Sequence, residues 1–201
     1  MNSSIDLKDT VYQRKDYSVS MVKANVYVLL LTAPLTLIIA AAFGLLWGIE
    51  KMLDDFSAVY ESPAGVFSSY AIFLLVMIVG IALHEFIHGV TWSLAGCKPW
   101  RSIKFGFQWK TFTPYTHCLE PLPVNAYRIG TLMPGLLTGV FPVLVGLAIG
   151  DLWVTFFGGL FLLSAGGDAL ILWLLRKVAP SALVEDHPTQ AGCYVLEAIN
   201  N

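Results

Sequence analysis

Long apolar segments alternate with shorter polar ones along the chain. Four of the apolar segments are long enough for a helix to cross the roughly 30 Å of hydrocarbon in a bilayer. They lie at about residues 24–48, 66–95, 129–149 and 152–175. Only Gly150 and Asp151 separate the last two, so these two helices should form an antiparallel hairpin. The pattern predicts an all-α membrane protein, built as a bundle of four transmembrane helices.

One polar segment has a different periodicity. Residues 103–110 alternate partly between apolar and polar side chains and precede several turn formers, which is typical of a strand or hairpin. We expect a small β hairpin or loop element between the second and third helices. The alternative is an amphipathic segment with aromatic anchors that lies in the membrane interface. Residues 1–23 and 179–201 are then a polar N-terminal segment and a polar tail, and residues 24–178 form the membrane domain.

The composition supports an integral membrane protein, because 56% of the residues are hydrophobic and only 13% are charged. The formal net charge of -2 gives no basic surface for nucleic acid, so we expect the lipid bilayer, and not nucleic acid, as a partner. Cys97, Cys118 and Cys193 are odd in number, far apart and without CxxC spacing. This spacing argues against a disulfide framework and a thiolate zinc site and favours free thiols in a reducing compartment.

The basic residues predict an orientation, since Lys and Arg accumulate in loops that stay in the cytoplasm. All but one of the twelve lie before the first span, between the second and third spans, or after the fourth: Lys8, Arg14, Lys15, Lys23, Lys98, Arg101, Lys104, Lys110, Arg128, Arg176 and Lys177. The exception is Lys51, in an acidic connection. Both termini and the middle loop should therefore be cytoplasmic, and the Lys51–Gly65 loop should lie outside.

A metal-binding motif, HExxH, lies inside the second apolar segment as His84-Glu85-Phe86-Ile87-His88. Two histidines four residues apart share one face of a helix, so both imidazoles can bind one Zn²⁺ while Glu85 acts as the catalytic general base. Histidine and glutamate are costly at membrane depth and occur there mainly where they face a protein interior and have a function. The alternative is a pair of buried histidines hydrogen-bonded to neighbouring helices.

A catalytic zinc needs a third protein ligand. Asp168 in the fourth segment is the strongest candidate, because an unpaired carboxylate would be costly at that depth. His84 lies eleven residues before Ala95 and Asp168 seven before Leu175. At 1.5 Å per residue, both are roughly 10–16 Å from the cytoplasmic ends of two helices that run in the same direction. The sequence therefore predicts that His84, His88 and Asp168 bind Zn²⁺.

Other polar residues are weaker candidates for the site. His117 in the middle loop is the rival third ligand and otherwise a candidate for orienting substrate or water. Asn125 and Arg128 can line the cytoplasmic mouth of the site. The preferred interpretation is that they cap a helix and provide a basic anchor at the membrane surface. His187 is expected to be a surface or structural residue.

At these positions the chain resembles a family of small bacterial membrane proteins, the zincin peptidases. The matching residues are His84-Glu85-Phe86-Ile87-His88-Gly89, His117-Cys118-Leu119-Glu120-Pro121-Leu122-Pro123, Tyr127-Arg128, Pro134-Gly135, Gly166-Gly167-Asp168, Asp186-His187-Pro188 and Gly192. More distantly, the chain is similar to the site-2 class of intramembrane metalloproteases, in which an aspartate from a later transmembrane helix joins the HExxH helix. That class has Leu-Asp-Gly around its aspartate and an Asn-Pro segment, whereas this chain has Gly167-Asp168-Ala169, so its way of gripping substrate need not carry over.

The resemblance implies a zinc-dependent intramembrane metalloprotease of the bacterial cytoplasmic membrane. It would hydrolyse peptide bonds of a membrane protein or peptide substrate near the cytoplasmic face, with Glu85 moving the proton from water to the leaving amine. A non-catalytic zinc-binding protein with a structural or regulatory role is the alternative, and such a site needs no general base. A metal transporter is a further alternative, but the outer halves of the spans supply almost no polar residues.

Overall fold

The computed structural model describes residues 3–7, 10–109, 113–188 and 190–199. Two of the basic residues used to predict the orientation, Lys8 and Lys110, lie outside these ranges. The helices are α1 (Met21–Trp47), α2 (Ile49–Ser57), α3 (Pro63–Ala95), α4 (Val124–Pro134), α5 (Phe141–Ile149), α6 (Leu152–Ser164) and α7 (Gly166–Leu175). The strands are β1 (Ser3–Leu7), β2 (Thr10–Val19), β3 (Ile103–Gln108), β4 (Thr113–Cys118), β5 (Leu122–Pro123), β6 (Leu183–Asp186) and β7 (Ala191–Ala198).

Three helical segments are long and apolar enough to cross a membrane. They are Val22–Trp47, Pro63–Ala95 and Val124–Ile149. The third consists of α4 and α5, joined by a π-helical turn at Gly135–Val140. The segment predicted as a fourth continuous helix is a pair, α6 and α7, bent by 43° at Ala165. The residues that the structure describes therefore include three candidate spans, or four if the bent pair crosses as one.

The all-α prediction is wrong, because both ends of the chain form strands. An antiparallel sheet of five strands has the order β1-β2-β7-β6-β5, so it combines the N-terminal segment, the middle loop and the tail. The longest pairing joins β2 to β7, from Tyr12 opposite Ala198 to Val19 opposite Ala191. Lys15 Nζ lies 2.5 Å from Glu197 Oε2 across that pairing. Nothing in either segment alone indicates this pairing, because the two strands are more than 170 residues apart in the sequence.

A second sheet is the hairpin of β3 and β4, which lies where the sequence predicts a β element. Ile103 pairs with Cys118 at one end and Gln108 with Thr113 at the other. The hairpin packs closely on α3 at Gly89, where an added Cβ would lie 2.7 Å from the Phe105 ring. This contact places β4 beside the HExxH residues.

The buried core lies between the five-stranded sheet and the adjacent ends of α3, α4 and α7. Its members include Trp92, Leu122, Val124, Tyr127, Leu175, Val184, Cys193 and Val195. Away from this core the helices expose large apolar side chains, such as Leu45, which is 87% exposed, and Leu37, which is 71% exposed. Exposed apolar surface of this kind suits a lipid environment, whereas the polar site described below borders the core.

Candidate metal centre

The two histidines of the HExxH motif meet Asp168 across the helix pair α3 and α7. His84 Nε2 lies 3.1 Å from Asp168 Oδ2, and His88 Nε2 lies 3.4 Å from Asp168 Oδ1. Ligand atoms bound tetrahedrally at 2.0–2.1 Å from a zinc ion are about 3.3 Å apart, so these spacings fit a metal site. Among the residues that the structure describes, this is the one group of three or more His, Cys, Asp and Glu side chains close enough to hold a metal ion.

The bend between α6 and α7 determines where Asp168 lies. Gly166 packs tightly on α1, since a Cβ there would lie 2.6 Å from Val28 Cγ1, whereas Gly167 has no atom within 4 Å of the corresponding position. Asp168 is in the first turn of α7, where the unpaired helix amides favour a negative charge. The Gly-Gly-Asp sequence thus combines a close helix contact, an open space and a carboxylate beside the histidines.

A backbone carbonyl and a stack of rings hold His88 in place. His88 Nδ1 lies 3.0 Å from the Gly130 carbonyl oxygen. If the proton is on Nδ1 it donates to that carbonyl, which leaves Nε2 available to bind a metal. The His88 ring stacks on Trp92 with centroids 5.1 Å apart, and Trp92 stacks on Tyr127 at 5.2 Å. The Trp92 indole also donates to the Tyr127 carbonyl oxygen at 3.1 Å, so the stack is fixed at its centre.

The Nδ1 atom of His84 also lies near a possible hydrogen-bond acceptor, in this case a threonine hydroxyl in the π-helical turn. Thr138 Oγ1 lies 3.5 Å from His84 Nδ1 and donates to the Pro134 carbonyl at 2.8 Å. Because the threonine proton is used on Pro134, the hydroxyl oxygen is left to accept from His84 Nδ1, which again directs Nε2 towards Asp168. Short π-helical turns inside α-helices often occur at functional sites, and this one brings Thr138 to the metal-binding group.

Glu85 is held by the hairpin. The Thr116 hydroxyl on β4 lies 2.8 Å from Glu85 Oε2 and 3.0 Å from the Glu85 carbonyl oxygen. A donor at that position fixes the orientation of the carboxylate. The general-base candidate and the metal-binding group are therefore positioned by different elements, β4 on one side and α4 and α7 on the other.

One cavity of about 610 Å³ connects these groups. Its polar lining residues include His84, Glu85, His88, Tyr115, Thr116, His117, Asp168, Asp186, His187 and Gln190. The walls come mainly from α3, α4, α7, the hairpin, and the turn between β6 and β7. The tail, which the sequence suggested was separate from the site, thus forms one wall of it.

The remaining predicted residues have different positions. His117 lines the cavity next to Tyr115, with ring centroids 4.6 Å apart, but is not part of the metal-binding group. Asn125 and Arg128 are not among the cavity-lining residues. Arg128 instead donates to the carbonyl oxygen of Leu175 at 2.5 Å and to that of Val178 at 2.8 Å, so it caps the end of α7.

His187 has a structural role and also faces the cavity. Its Nδ1 accepts from the Gln190 amide at 2.8 Å, and its Nε2 lies 3.0 Å from the Tyr194 hydroxyl. These bonds shape the turn between β6 and β7, which lines the site. Of the two expected roles, surface and structural, these contacts support the structural one, because His187 is buried.

Sequence reasoning missed the residues that hold the site in place. They are Trp92, Thr116, Tyr127, Gly130, Thr138 and Asp186. A threonine or glycine carries no signal of a partner 31 or 42 positions away, as in the Thr116–Glu85 and Gly130–His88 pairs. Tyr127 and Asp186 were noted only as part of the family resemblance, without a role.

The fold and the site together suggest a metallopeptidase with helices that can span a membrane. The chain belongs to the family described as "Putative zincin peptidase", which matches residues 77–183, more than half of its length. The matched range contains the HExxH motif, the hairpin and Asp168, and ends at the start of β6. No curated protein and no solved structure matches the chain.

Proposed function

We propose that the protein is a zinc-dependent intramembrane peptidase that cleaves membrane-associated peptides or proteins near the cytoplasmic face of the membrane. The observation that carries this proposal is the cavity shared by the His84–His88–Asp168 group and the Glu85 carboxylate. A purely structural metal site has no need of a carboxylate base, and a closed structural site would not open into 610 Å³ of space.

Each residue has a distinct part in the proposed reaction. Zn²⁺ bound by the three ligands would supply Lewis acidity towards a peptide carbonyl and a water molecule. Glu85, oriented by Thr116, accepts a proton from the attacking water and then donates a proton to the leaving amine. The Gly130 carbonyl and Thr138 keep the Nδ1 atoms of the two histidines occupied, so that both Nε2 atoms face Asp168.

The location in the membrane rests on the spans and on the sheet. Because β2 pairs with β7 and β5 with β6, the N-terminal segment, the middle loop and the tail lie at the same end of the helices. These segments carry most of the basic residues, which supports a cytoplasmic position for this end. A substrate would reach the site unwound, and strand addition to the hairpin is one way to hold it.

Metal content and turnover, measured on purified protein in detergent, test the proposal. We expect wild type to bind one zinc ion and to cleave fluorescein-labelled casein. Glu85→Gln should keep the zinc and lose turnover, whereas His84→Ala and Asp168→Ala should lose zinc. Glu120→Gln is the matched control, since Glu120 is a carboxylate bound to Lys98 at 3.0 Å outside the site.

Three results would contradict the proposal. Wild type without metal after purification free of chelators would exclude the metallopeptidase. Full zinc occupancy in Asp168→Ala would exclude Asp168 as a ligand. Turnover of Glu85→Gln equal to that of Glu120→Gln would favour the non-catalytic alternative.

A further inference from the structure

Asp186, at the end of β6, joins two parts of the site that come from different elements. Its Oδ1 accepts from the Tyr127 hydroxyl at 2.6 Å, and its Oδ2 accepts from the Cys118 amide at 3.1 Å. Tyr127 is on α4, and Cys118 is the last residue of β4. Both oxygens of one carboxylate are thus used to connect the helix to the hairpin.

One connection leads from Asp186 to Glu85. Cys118 is two residues beyond Thr116 on the same strand, and Thr116 donates to the Glu85 carboxylate at 2.8 Å. The hydrogen bond from Cys118 to Asp186 therefore anchors the end of β4 that is nearest to Thr116.

The other connection leads from Asp186 to His88. The Tyr127 ring stacks on Trp92, and Trp92 stacks on the His88 ring. A single turn of α4, from Tyr127 to Gly130, carries the hydroxyl that donates to Asp186, the carbonyl that accepts from Trp92 and the carbonyl that contacts His88. The position of Tyr127 thus determines the position of both the ring and the carbonyl that hold His88.

We propose that Asp186 is a positioning residue that sets the Glu85 carboxylate relative to His88, so that the C-terminal strand is part of the active site. This inference rests on the proposed peptidase function. It assigns a role to a residue that lies beyond the end of the family match at residue 183. Asp186 lines the cavity but lies outside the metal-binding group, so it acts through Thr116 and Tyr127.

The surroundings of Asp186 are consistent with a role for both of its oxygens. Burial raises the pKa of the Asp186 carboxyl, while the Tyr127 hydroxyl, His117 and the Cys118 amide oppose that rise. Both hydrogen-bond partners are donors, so the ionised carboxylate satisfies both at once. Asparagine offers one acceptor oxygen in place of two, and alanine offers none.

The test compares Asp186→Ala and Asp186→Asn with Glu185→Gln in the full-length protein in detergent. Glu185 is the matched control because it is the neighbouring carboxylate on β6 and pairs with Arg14 at 3.5 Å. Three quantities are measured for each variant. They are the visible absorption spectrum with Co²⁺ in place of zinc, kcat and KM on fluorescein-labelled casein, and hydrogen exchange of the Cys118 amide.

We expect Asp186→Ala to bind Co²⁺ with the wild-type spectrum, because all three ligands remain. Its kcat should fall about 10–100-fold with little change in KM, the usual cost of losing a residue that supports metal ligands and catalytic groups. The Cys118 amide should exchange faster. Asp186→Asn should be intermediate, and Thr116→Val should add little to the loss in the Asp186→Ala background, since both act through Glu85.

The outcomes separate this inference from the proposed function. A kcat for Asp186→Ala equal to that of Glu185→Gln would overturn the positioning role. The role would also be overturned if Thr116→Val lowered kcat in the Asp186→Ala background by as much as it does in the wild type. If Asp186→Ala does not fold, Asp186→Asn decides by the same criteria. Wild-type protein that binds no Co²⁺ or shows no turnover contradicts the peptidase itself, whatever the variants do.

Discussion

Gly130 provides a sharp test of how the site is built, because a single methyl group there would disturb the packing around His88 without replacing any of the three candidate ligands. A Cβ added at Gly130 would lie 2.0 Å from Trp92 Cδ1 and 2.2 Å from Trp92 Nε1. The indole cannot simply rotate away, since it is stacked between two rings and donates to the Tyr127 carbonyl. Either Trp92 leaves the stack or α4 moves away from α3.

The cost of Gly130→Ala follows from three contributions. Overpacking of a buried site costs about 1–3 kcal/mol. Loss of the Trp92–Tyr127 hydrogen bond adds about 1 kcal/mol, and the higher helix propensity of alanine returns about 1 kcal/mol. The expected net destabilisation is therefore about 1–3 kcal/mol. Because the Gly130 carbonyl also holds His88, metal affinity should fall about 10–100-fold.

Gly159→Ala is the matched control for this substitution. Gly159 is also in a helix, α6, but the nearest atom to an added Cβ is Ile39 Cδ1 at 4.0 Å. This variant should be unchanged or more stable by up to about 1 kcal/mol, with unaltered metal affinity. Stability is measured by thermal unfolding of the metal-free proteins in detergent, since bound metal would itself stabilise the fold. Affinity is measured by competition with a chromogenic chelator.

Equal unfolding temperatures and equal zinc affinities for Gly130→Ala and Gly159→Ala would refute the reasoning. Such a result would mean that the Trp92 stack can shift without consequence for His88. If Gly130→Ala were less stable but bound zinc with wild-type affinity, the prediction about packing would be confirmed. The predicted link between the Trp92 stack and the metal site would then be wrong.

Two further predictions concern the hairpin and the thiols. Thr116→Val keeps the shape of the side chain but removes the donor to Glu85, so kcat should fall about tenfold with zinc content unchanged. The control is Thr36→Val, which should retain wild-type turnover because the Thr36 hydroxyl bonds within α1. Cys97 is exposed, whereas Cys193 is buried and burial raises its pKa to about 12. Because the thiolate is the nucleophile, maleimide at about pH 8 should label Cys97 in the folded protein and Cys193 only after unfolding. An impermeant maleimide should reach Cys97 from the cytoplasmic side alone, and labelling from the outer side would contradict the proposed orientation.

Local spacing along the chain was enough to predict three of the spans and to group His84, His88 and Asp168 as candidate ligands, whereas the fourth predicted helix is a bent pair. A run of some twenty apolar residues has the length of a bilayer, and two histidines four apart must share a helix face. These properties depend on neighbours in sequence, so they can be read without a structure. The choice of Asp168 as the partner of His84 used only helix direction and rise, and the two side chains lie 3.1 Å apart.

Contacts between distant segments account for what the sequence analysis did not find. The five-stranded sheet joins residues near both ends of the chain, and the whole membrane domain separates the two strands of its longest pairing. The bend at Ala165 depends on how closely Gly166 packs on α1. Pairing of strands and packing of glycines require a partner surface, and the partner is not encoded next to the residue that needs it.

The HExxH motif by itself places two candidate ligands and a candidate base on one helix. Only the folded chain brings Thr116 to Glu85 and Asp186 to Cys118, over separations of 31 and 68 residues. The orientation of a catalytic side chain depends on these hydrogen bonds, which form when the hairpin and the tail sheet meet α3 and α4. For this reason the candidate metal ligands can be recognised in the sequence, whereas the cavity that they line is formed only when the chain folds.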